Sequence, residues 1–385
     1  MHRLIEHLPQ DWRKAMLLGR LLTAEGPTPI LIVDGRLRDV SGLAPTSADF
    51  LARWNGQLPE GRDLGPLETF DLHPVWEGEP GAVRLLAPID LQCIKAAGVT
   101  FAVSAVERVI EERARGEASR AEAIRSALRE RVGADIRSVK PGSPEAKKLK
   151  DALIADGLWS QYLEVAIGPD AEIFTKAPIL SAVGWGDYVG VRSDAVWTNP
   201  EPEVVLACDR QGRALGATLG NDVNLRCIEG RSALLLGKAK DNNASCALGP
   251  FIRLFDATFS LDDVRRAVVG IEVEGEDGYR LEGKSSMAEI SRDPLELTGQ
   301  TLGRHHQYPD GFVLFLGTMF APTDDRAGDG KGFTHKPGDI VRVKSEKLGV
   351  LENKVTSCEK APPWRFGVGD LMRNLAARGL LRAEA

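Results

Sequence analysis

The stretch Asn199–Asp209, NPEPEVVLACD, places two glutamates, Glu201 and Glu203, two positions apart at the start of an apolar run. Residues i and i+2 of a β-strand point to the same face of a sheet. Neighbouring carboxylates on one face repel each other unless water or a cation compensates their charge. The pattern therefore predicts either a solvated edge strand or a strand that holds a cation.

The composition is that of an ordinary globular protein. The chain has 385 residues, of which 43% are hydrophobic and 27% charged, and its formal net charge is −6. This length predicts either a large catalytic domain with a smaller one or a single large fold. The negative charge gives no reason to expect nucleic acid or an anionic membrane as a partner. No apolar run approaches the roughly 18 residues that cross a bilayer.

The cysteines and the N-terminus both favour a cytoplasmic protein. The N-terminal sequence MHRLIEHLPQDWRKAM is charged throughout and lacks the apolar core of a signal peptide. Five cysteines are scattered without a CxxC pair, which argues against a disulfide framework or a thiolate zinc site.

The N-terminal part of the chain reads as a small unit of its own, residues 1–88, with a larger domain in residues 89–385. The segment 27–41 predicts a β-hairpin, because Asp34-Gly35 follows an apolar run and precedes an alternating one. Thr46 or Ser47 is a suitable N-cap for a short helix that follows.

A helical segment opens the larger domain. Apolar residues recur at spacings of three and four from Val103 to about Ile136, with a break expected at Gly116. We interpret this segment as a helical lid. A further helix is expected to begin at Ser143-Pro144 and to end at Gly157.

After Trp159 the chain becomes β-like, with several strand candidates separated by Gly and Asp turns. The fold class is therefore α+β and rich in β-structure. No β–helix–β alternation, GxGxxG motif or P-loop is present, so neither a doubly wound sheet nor a nucleotide cofactor is predicted. Residues 324–332 have the composition of a mobile surface loop.

Two further polar residues belong with the paired glutamates. Asp222 follows in GNDVNLR and Lys240 in GKAKDNNASCALGP, each near a β-like segment. Carboxylate oxygens suit Mg²⁺, Mn²⁺ or Ca²⁺. The spacing alone leaves both a metal site and an exposed polar strand open, and the local sequence of Lys240 on its own favours a surface lysine.

Several motifs occur in one order over residues 90–385: GVTFAVSAVE, EIFTKAP, PEPEVVL, GNDVNLR, KAKDNNASCALGP, LFLGT and KPGDIVRVKSEKLGVLEN. In these the chain resembles the fumarylacetoacetate hydrolase superfamily, and within it most closely the dehydratases of 2-keto-3-deoxy-pentonates. The resemblance to those dehydratases extends over the N-terminal unit. It implies a mixed β-roll catalytic domain with a small N-terminal α/β unit.

The resemblance also implies roles for individual residues. Glu201, Glu203 and Asp222 would hold a divalent ion, usually Mg²⁺, with Mn²⁺ or Ca²⁺ as alternatives, and Lys240 would be the active-site lysine. The remaining expected site residues are Glu229 as an acid/base candidate and Lys176, Thr318, Ser104 and Ser245 as substrate contacts. A homodimer or homotetramer is implied as well.

Two positions depart from the family pattern. Ser104 stands where hydrolases and decarboxylases carry the histidine of a His–Glu pair, which counts against C–C bond hydrolysis. Cys227 stands where most members have an aspartate that supports the site.

The expected reaction is the metal-dependent dehydration of a 2-keto-3-deoxy-pentonate to 2,5-dioxopentanoate. It requires a base, an acid and an electrophile at the ketone. Lys240 is the first candidate for polarising the substrate or for transferring a proton near the enolate, and a metal and a dry pocket are expected to lower its pKa. Glu111 and Glu112 on the lid are further acid/base candidates, although both also suit a solvated helix face. The alternatives are a hydrolase or decarboxylase of acylpyruvates and diketo acids, and a non-catalytic metabolite-binding protein.

Overall fold

The computed structural model describes residues 4–79, 83–121, 124, 139–320, 322, 324–326 and 332–381. Sixteen strands are found in these ranges: β1 Leu17–Thr23, β2 Gly26–Val33, β3 Arg36–Asp39, β4 Arg62–Pro66, β5 Arg84–Leu86, β6 Cys93–Gly98, β7 Glu172–Ala177, β8 Tyr188–Val191, β9 Pro202–Cys208, β10 Ala214–Asp222, β11 Cys246–Leu254, β12 Val268–Glu274, β13 Arg280–Ser286, β14 Phe312–Phe315, β15 Ile340–Ser345 and β16 Gly349–Ser357.

The α-helices of the described ranges are α1 Ser47–Arg53, α2 Ala102–Ala114, α3 Pro144–Ala155, α4 Gln161–Ile167, α5 Arg226–Glu229, α6 Leu236–Lys240, α7 Leu261–Arg266, α8 Pro294–Thr301 and α9 Val368–Ala377. No helix in these ranges is long and apolar enough to cross a membrane.

The strands form two sheets. The larger has eleven strands in the order β4-β3-β2-β1-β11-β10-β9-β14-β6-β7, with β5 also paired to β1, and the smaller has the order β13-β12-β15-β16-β8. Most neighbours are antiparallel, whereas β14–β6 and β16–β8 are parallel pairs. Helices accompany these sheets without alternating with parallel strands, so the predicted α+β, β-rich class is confirmed.

The larger sheet is continuous across the boundary predicted near residue 88. β1 pairs with β11, where Leu17 lies opposite Arg253 and Leu18 opposite Ile252. Asp11 also forms a two-bond ion pair with the buried Arg253. The two predicted units thus share one sheet, and the division into domains stays a prediction.

β9 lies in the middle of the larger sheet. It pairs with β10 on one side and β14 on the other, and all seven of its residues are buried. One face of the sheet packs in a core shared with the smaller sheet, through residues such as Leu206 and Leu351. The other face packs in a second core that contains Val205 and Phe315. The solvated edge strand, one of the two initial readings of Glu201 and Glu203, is therefore wrong.

Most of the local predictions hold. The hairpin at Asp34-Gly35 joins β2 to β3, and Thr46 caps α1 by accepting the Asp49 N–H. α3 begins after Ser143 as its N-cap, and Gly157 beyond its end has a φ of +67°. α2 ends where expected, because Arg115 and Gly116 both have positive φ. Most of the predicted helical segment beyond Ala121, and residues 327–331 of the predicted loop, lie outside the described residues.

Several elements were missed, among them the helix α4 and the central strand β11. The chain after Trp159 was expected to be β-like, but Ser160 caps the helix α4. β11 was not predicted as a strand because it contains Pro250, which is disfavoured in a central strand. The pairing of β10 with β11 shifts register between Ala217 and Leu219, opposite this proline, so Pro250 is accommodated at an irregularity in the ladder.

Candidate active site

The three candidate metal ligands meet at one end of β9 and β10. Glu203 lies opposite Gly220 in this antiparallel pair, and Asp222 is the last residue of β10. One carboxylate oxygen from each of Glu201, Glu203 and Asp222 lies within 4.8 Å of the others, and all three side chains are buried. Three converging carboxylates at this spacing suit a small hard cation, of which Mg²⁺ is the commonest example.

Asn199 adds a neutral oxygen to this group. It is buried, lines the same pocket and donates from Nδ2 to the Pro200 carbonyl at 3.0 Å. Its Oδ1 has no hydrogen-bond partner among the described residues. Because buried acceptors are almost always satisfied in native proteins, this oxygen fits a water or a hydroxyl group of a bound ligand.

Two lysines compensate the charge of the carboxylates. Lys240 Nζ, at the end of α6, contacts Glu201 and lies 3.0 Å from Asp222 Oδ2. Lys176 Nζ, on β7, lies 2.8 Å from Asp222 Oδ1 and donates to the Val223 carbonyl at 3.1 Å. Each lysine thereby fixes the orientation of Asp222.

The expected lowering of the Lys240 pKa is wrong. Burial acts to lower the pKa of this ammonium, but the adjacent Asp222 and Glu201 outweigh burial and raise it above its ordinary value. Lys240 is therefore a permanent cation in this arrangement. It is suited to stabilising negative charge and to donating hydrogen bonds, and it is a poor base.

The carboxylates themselves differ in their affinity for protons. Burial acts to raise the pKa of Glu201, yet Lys240 and Arg108 outweigh it and lower the pKa to about 2. Burial, together with repulsion from Asp222 and Glu201, raises the pKa of Glu203 well above its usual range. Three buried carboxylates with this much mutual repulsion call for the additional positive charge that a divalent cation supplies.

Arg108 was not anticipated from the sequence. It lies on α2, and its guanidinium contacts three carboxylates: Glu201, which precedes β9, at 2.7 Å, Glu111 of the same helix at 2.8 Å, and Glu229 on α5. Ser104, Arg108 and Glu111 are spaced four and three residues apart, so they share one helix face. That spacing was a usable signal, but charged residues on a helix usually face solvent.

Glu172 was also missed. It is the first residue of β7, and Glu172 and Phe174 both line the pocket. Burial and repulsion from Glu229 raise the pKa of Glu172 to about 7. The signal was present, because strand alternation places Glu172, Phe174 and the predicted Lys176 on one face.

Apart from the metal ligands, most of the predicted site residues lie either in the pocket or directly behind it. Those that line the pocket with the metal ligands are Lys240, Glu111, Glu229, Ser104 and Thr318. Lys176 and Ser245 lie behind this layer instead of in the pocket: Lys176 supports Asp222, and Ser245 Oγ donates to the Lys240 carbonyl at 2.8 Å. Their prediction as substrate contacts therefore needs correction to a supporting role.

Glu112 lies outside the pocket. Its carboxylate accepts hydrogen bonds from Ser160 and from Gln161 Nε2, at the start of α4. Successive helix residues diverge by about 100°, so Glu111 and Glu112 cannot both face the site. Glu112 anchors α2 to α4, and its prediction as an acid/base group is not supported by this position.

The space beside the triad is narrow. The part of the pocket that the centre of a water molecule can reach has a volume of about 40 Å³. Arg108 and Glu111 of α2 line this space, so α2 covers the triad.

Comparison with known proteins confirms the resemblance predicted from the sequence. Residues 172–356 match the family model described as fumarylacetoacetate (FAA) hydrolase C-terminal. This segment extends from the start of β7 almost to the end of β16 and includes the three candidate metal ligands and Lys240.

Two curated relatives are sugar-acid dehydratases by name. The chain is 27% identical over 323 residues to a probable 2-keto-3-deoxyxylonate dehydratase of Haloferax volcanii, a match that covers 84% of this chain and 88% of the relative. It is 34% identical over 192 residues to the 2-dehydro-3-deoxy-D-arabinonate dehydratase of Saccharolobus solfataricus, covering 49% of this chain and 60% of that protein.

Solved structures share the fold. A 2-keto-3-deoxy-D-arabinonate dehydratase complexed with magnesium and 2,5-dioxopentanoate has a TM-score of 0.64 and 22% identity, over 89% of this chain and 99% of that one. A fumarylacetoacetate hydrolase from Exiguobacterium antarcticum has a TM-score of 0.54 and 17% identity, over 89% of this chain and all of the other. The fumarylacetoacetate hydrolase-like fold is thereby established.

Proposed function

Taking the fumarylacetoacetate hydrolase domain of residues 172–356 as the premise, we propose that this protein is a metal-dependent dehydratase. Its substrate is a 2-keto-3-deoxy-pentonate, a 2-dehydro-3-deoxy-xylonate or -arabinonate, and its product is 2,5-dioxopentanoate. The observation that carries the proposal is the buried triad Glu201, Glu203 and Asp222, backed by Lys240, in a chain whose curated relatives are named for this reaction.

The carboxylate triad fits Mg²⁺, with Mn²⁺ or Ca²⁺ as alternatives. A bound divalent ion would supply Lewis-acid polarisation of the 2-keto group of the substrate. The three carboxylates lie at the ends of β9 and β10, and Lys176 and Lys240 orient Asp222. The ligands are therefore in place before an ion binds.

Lys240 and Glu172 have complementary tasks. Lys240, held cationic by its carboxylate neighbours, stabilises the negative charge that develops on the substrate when a C3 proton leaves. Glu172 is the group we assign as base for that proton, because its pKa of about 7 is matched to neutral pH. The same carboxyl group then protonates the hydroxide that departs from C4. The resulting enone tautomerises through its C5 hydroxyl to the 2,5-dioxo acid.

Glu111 and Glu229 are less suited to proton transfer than the sequence suggested. Burial acts to raise the pKa of Glu111, but Arg226 and Arg108 outweigh it and lower the pKa. Glu229 has a raised pKa because of burial, opposed mainly by Arg108, yet its Oε2 already accepts a hydrogen bond from Asn224 Nδ2 at 2.6 Å. Both groups serve to hold Arg108.

The main alternative is a hydrolase or decarboxylase of acylpyruvates or diketo acids. Hydrolysis of a C–C bond needs an activated water, and at position 104 the chain has a serine whose Oγ donates to the Phe101 carbonyl at 2.8 Å. This hydroxyl is occupied in capping α2. Ser104 therefore favours dehydration over C–C bond hydrolysis.

A substrate panel tests the proposal. Purified protein with Mg²⁺ is incubated separately with 2-keto-3-deoxy-D-xylonate, an acylpyruvate and oxaloacetate, and the products are identified by mass. We expect the loss of one water from the first substrate only, abolished by a chelator. Faster cleavage of the acylpyruvate or decarboxylation of oxaloacetate would contradict the proposal.

We propose a cytoplasmic homodimer or homotetramer as the working form. The five cysteines are all free, which suits a reducing compartment. Size-exclusion chromatography with light scattering checks the assembly, and a monomer at working concentration would contradict it.

A further inference from the structure

A row of alternating charges connects the metal site to α2. It begins at Lys176 and passes through buried or nearly buried ion pairs to Arg226: Lys176–Asp222, Asp222–Lys240, Lys240–Glu201, Glu201–Arg108, Arg108–Glu111 and Glu111–Arg226. Lys176 and Asp222 belong to strands, Lys240 to α6, and Glu201 directly precedes β9, whereas Arg108 and Glu111 belong to α2. Arg108 is the point where the helix joins the metal ligands.

Both carboxylate oxygens of Glu201 already have hydrogen-bond partners. Its Oε1 accepts hydrogen bonds from Arg108 Nη2 at 2.7 Å and from Asn224 Nδ2 at 3.1 Å, while its Oε2 contacts Lys240. A divalent cation bound by the triad would place two further positive charges beside this carboxylate. At such separations within a partly desolvated site, like charges repel strongly.

Arg108 is the cation that can leave Glu201 and still keep carboxylate partners. Its Nη1 already donates to Glu111 at 2.8 Å and to Glu229, so the guanidinium keeps two carboxylate partners if it leaves Glu201. Lys240, in contrast, contacts Glu201 and Asp222, both of which are candidate ligands.

The place of Arg108 in the pocket gives a second reason for its movement. Its side chain lines the pocket together with all three candidate ligands, so it occupies space beside the triad. A shift of this side chain towards Glu229 and Glu111 both releases Glu201 and enlarges the pocket.

We infer that Arg108 is the exchangeable counter-ion of the metal site. Without a divalent cation it neutralises Glu201 and holds α2 closed over the triad. When the cation binds, Arg108 moves wholly to Glu229 and Glu111, and α2 loosens so that a substrate can enter. Arg108 is thus a positioning residue that couples metal occupancy to the lid, and this inference rests on the metal site of the proposed function.

The first test measures the affinity for Mn²⁺ alone by calorimetry in the wild type, Arg108→Met and Arg113→Met. Arg113 lies on the same helix and donates to the Gly157 carbonyl at 3.4 Å, so it is a matched control. We expect Arg108→Met to bind Mn²⁺ about ten-fold more tightly or better, because a competing charge is removed, and Arg113→Met to match the wild type. Unchanged or weaker binding in a folded Arg108→Met variant would overturn the inference.

The second test uses the wild type, so it stands even if Arg108→Met fails to fold. Amide hydrogen exchange in residues 102–114 should accelerate when Mn²⁺ is added, and should slow again when the unreactive analogue 2-oxobutyrate is added to the Mn²⁺ form. A crystal structure with Mn²⁺ should place Arg108 beyond hydrogen-bond distance of Glu201. If the Arg108–Glu201 pair stays intact beside bound Mn²⁺, or if Mn²⁺ leaves amide exchange in residues 102–114 unchanged, the proposed coupling of metal binding to α2 is wrong. The metal site itself would still stand. Failure of the wild type to bind any Mn²⁺ would overturn the metal site as well.

Discussion

At the scale of single residues, we propose that the carboxyl group of Glu172 alone removes the C3 proton of the substrate. Replacement by glutamine keeps its shape but mimics its protonated form. We expect Glu172→Gln to lower kcat by about 100-fold or more while leaving Mn²⁺ affinity within a few-fold of the wild type. Steady-state kinetics and calorimetry measure the two quantities, and a loss of only a few-fold in kcat would show that another group is the base.

The pH profile follows from the same residue. The pKa of Glu172 is raised to about 7, so the carboxyl is protonated below that pH and cannot accept a proton. Activity should therefore rise with pH through an inflection at or below about 7, because a nearby divalent cation favours the ionised form. Glu172→Gln should lack this inflection, and a variant that retains it would contradict the assignment.

Glu203 and Asp222 are two of the three proposed metal ligands. Each is proposed to supply an anionic oxygen to a small hard ion, so we expect Glu203→Ala and Asp222→Ala to abolish activity and to weaken Mg²⁺ binding. Calorimetric titration with Mg²⁺ checks this, with circular dichroism to confirm that the variants fold. Unchanged Mg²⁺ affinity in both folded variants would remove these residues from the ligand set.

The sequence predicted those site residues that form a recognisable pattern and missed those that depend on packing. Glu201, Glu203, Asp222 and Lys240 were identified from residue types, spacing and family resemblance, and they do converge. Arg108 was missed because a charged helical residue is ordinarily solvated, and only the docking of α2 turns it inward. The pKa of Lys240 was misjudged, because its direction depends on how many carboxylates surround the ammonium.

At the scale of elements, α2 and α5 meet at a close backbone contact. Gly116 follows the end of α2 with a φ of +73°, and a Cβ at this position would lie 2.7 Å from the Cys227 carbonyl oxygen. This contact fixes how α2 is seated beside Cys227 and Glu229. It also explains the predicted helix break in physical terms, since only glycine combines that conformation with that approach.

Gly116→Ala tests this contact, and Gly157→Ala is its matched control. Gly157 has a φ of +67° after α3, but a Cβ there would meet nothing within 4 Å. We expect Gly157→Ala to lower the free energy of unfolding by about 1 kcal/mol through conformational strain alone. Gly116→Ala should cost more, because the strain is joined by a clash with backbone. Thermal or chemical unfolding measures both, and equal losses would show that the contact is not tight.

Elements were predictable where local chemistry decides them. The Asp34-Gly35 hairpin and the Ser143-Pro144 helix start were correct because turn and cap residues act within a few positions. β11 was missed because Pro250 argues locally against a central strand, whereas its pairing with β10 across a register shift overrides that preference. Such tertiary effects have no signature in a short window of sequence.

For the whole molecule, the shared sheet makes the N-terminal residues part of the structural support of the site. Leu18 and Leu31 are fully buried, and β1 covers the edge of β11. We expect residues 89–385 alone to lose the cooperative unfolding transition, because that truncation exposes a long apolar edge. Co-expression with residues 1–88 as a separate chain should restore the transition. A truncated chain that unfolds cooperatively and binds Mn²⁺ normally would show that residues 89–385 are independent. The strand order behind this prediction was not available from the sequence, since periodicity gives a strand's faces and not its neighbours.

The most direct measurement of the central claim follows 2-keto-3-deoxy-D-xylonate by NMR in deuterated water with the protein and Mg²⁺. Dehydration removes the C4 hydroxyl, and the subsequent tautomerisation adds a solvent proton at C4. The account predicts a 2,5-dioxopentanoate aldehyde signal, deuterium at C4, and loss of both signals when the protein is replaced by Glu203→Ala. Pyruvate or another carbon–carbon cleavage product, or an aldehyde that forms equally fast without Mg²⁺, would contradict it.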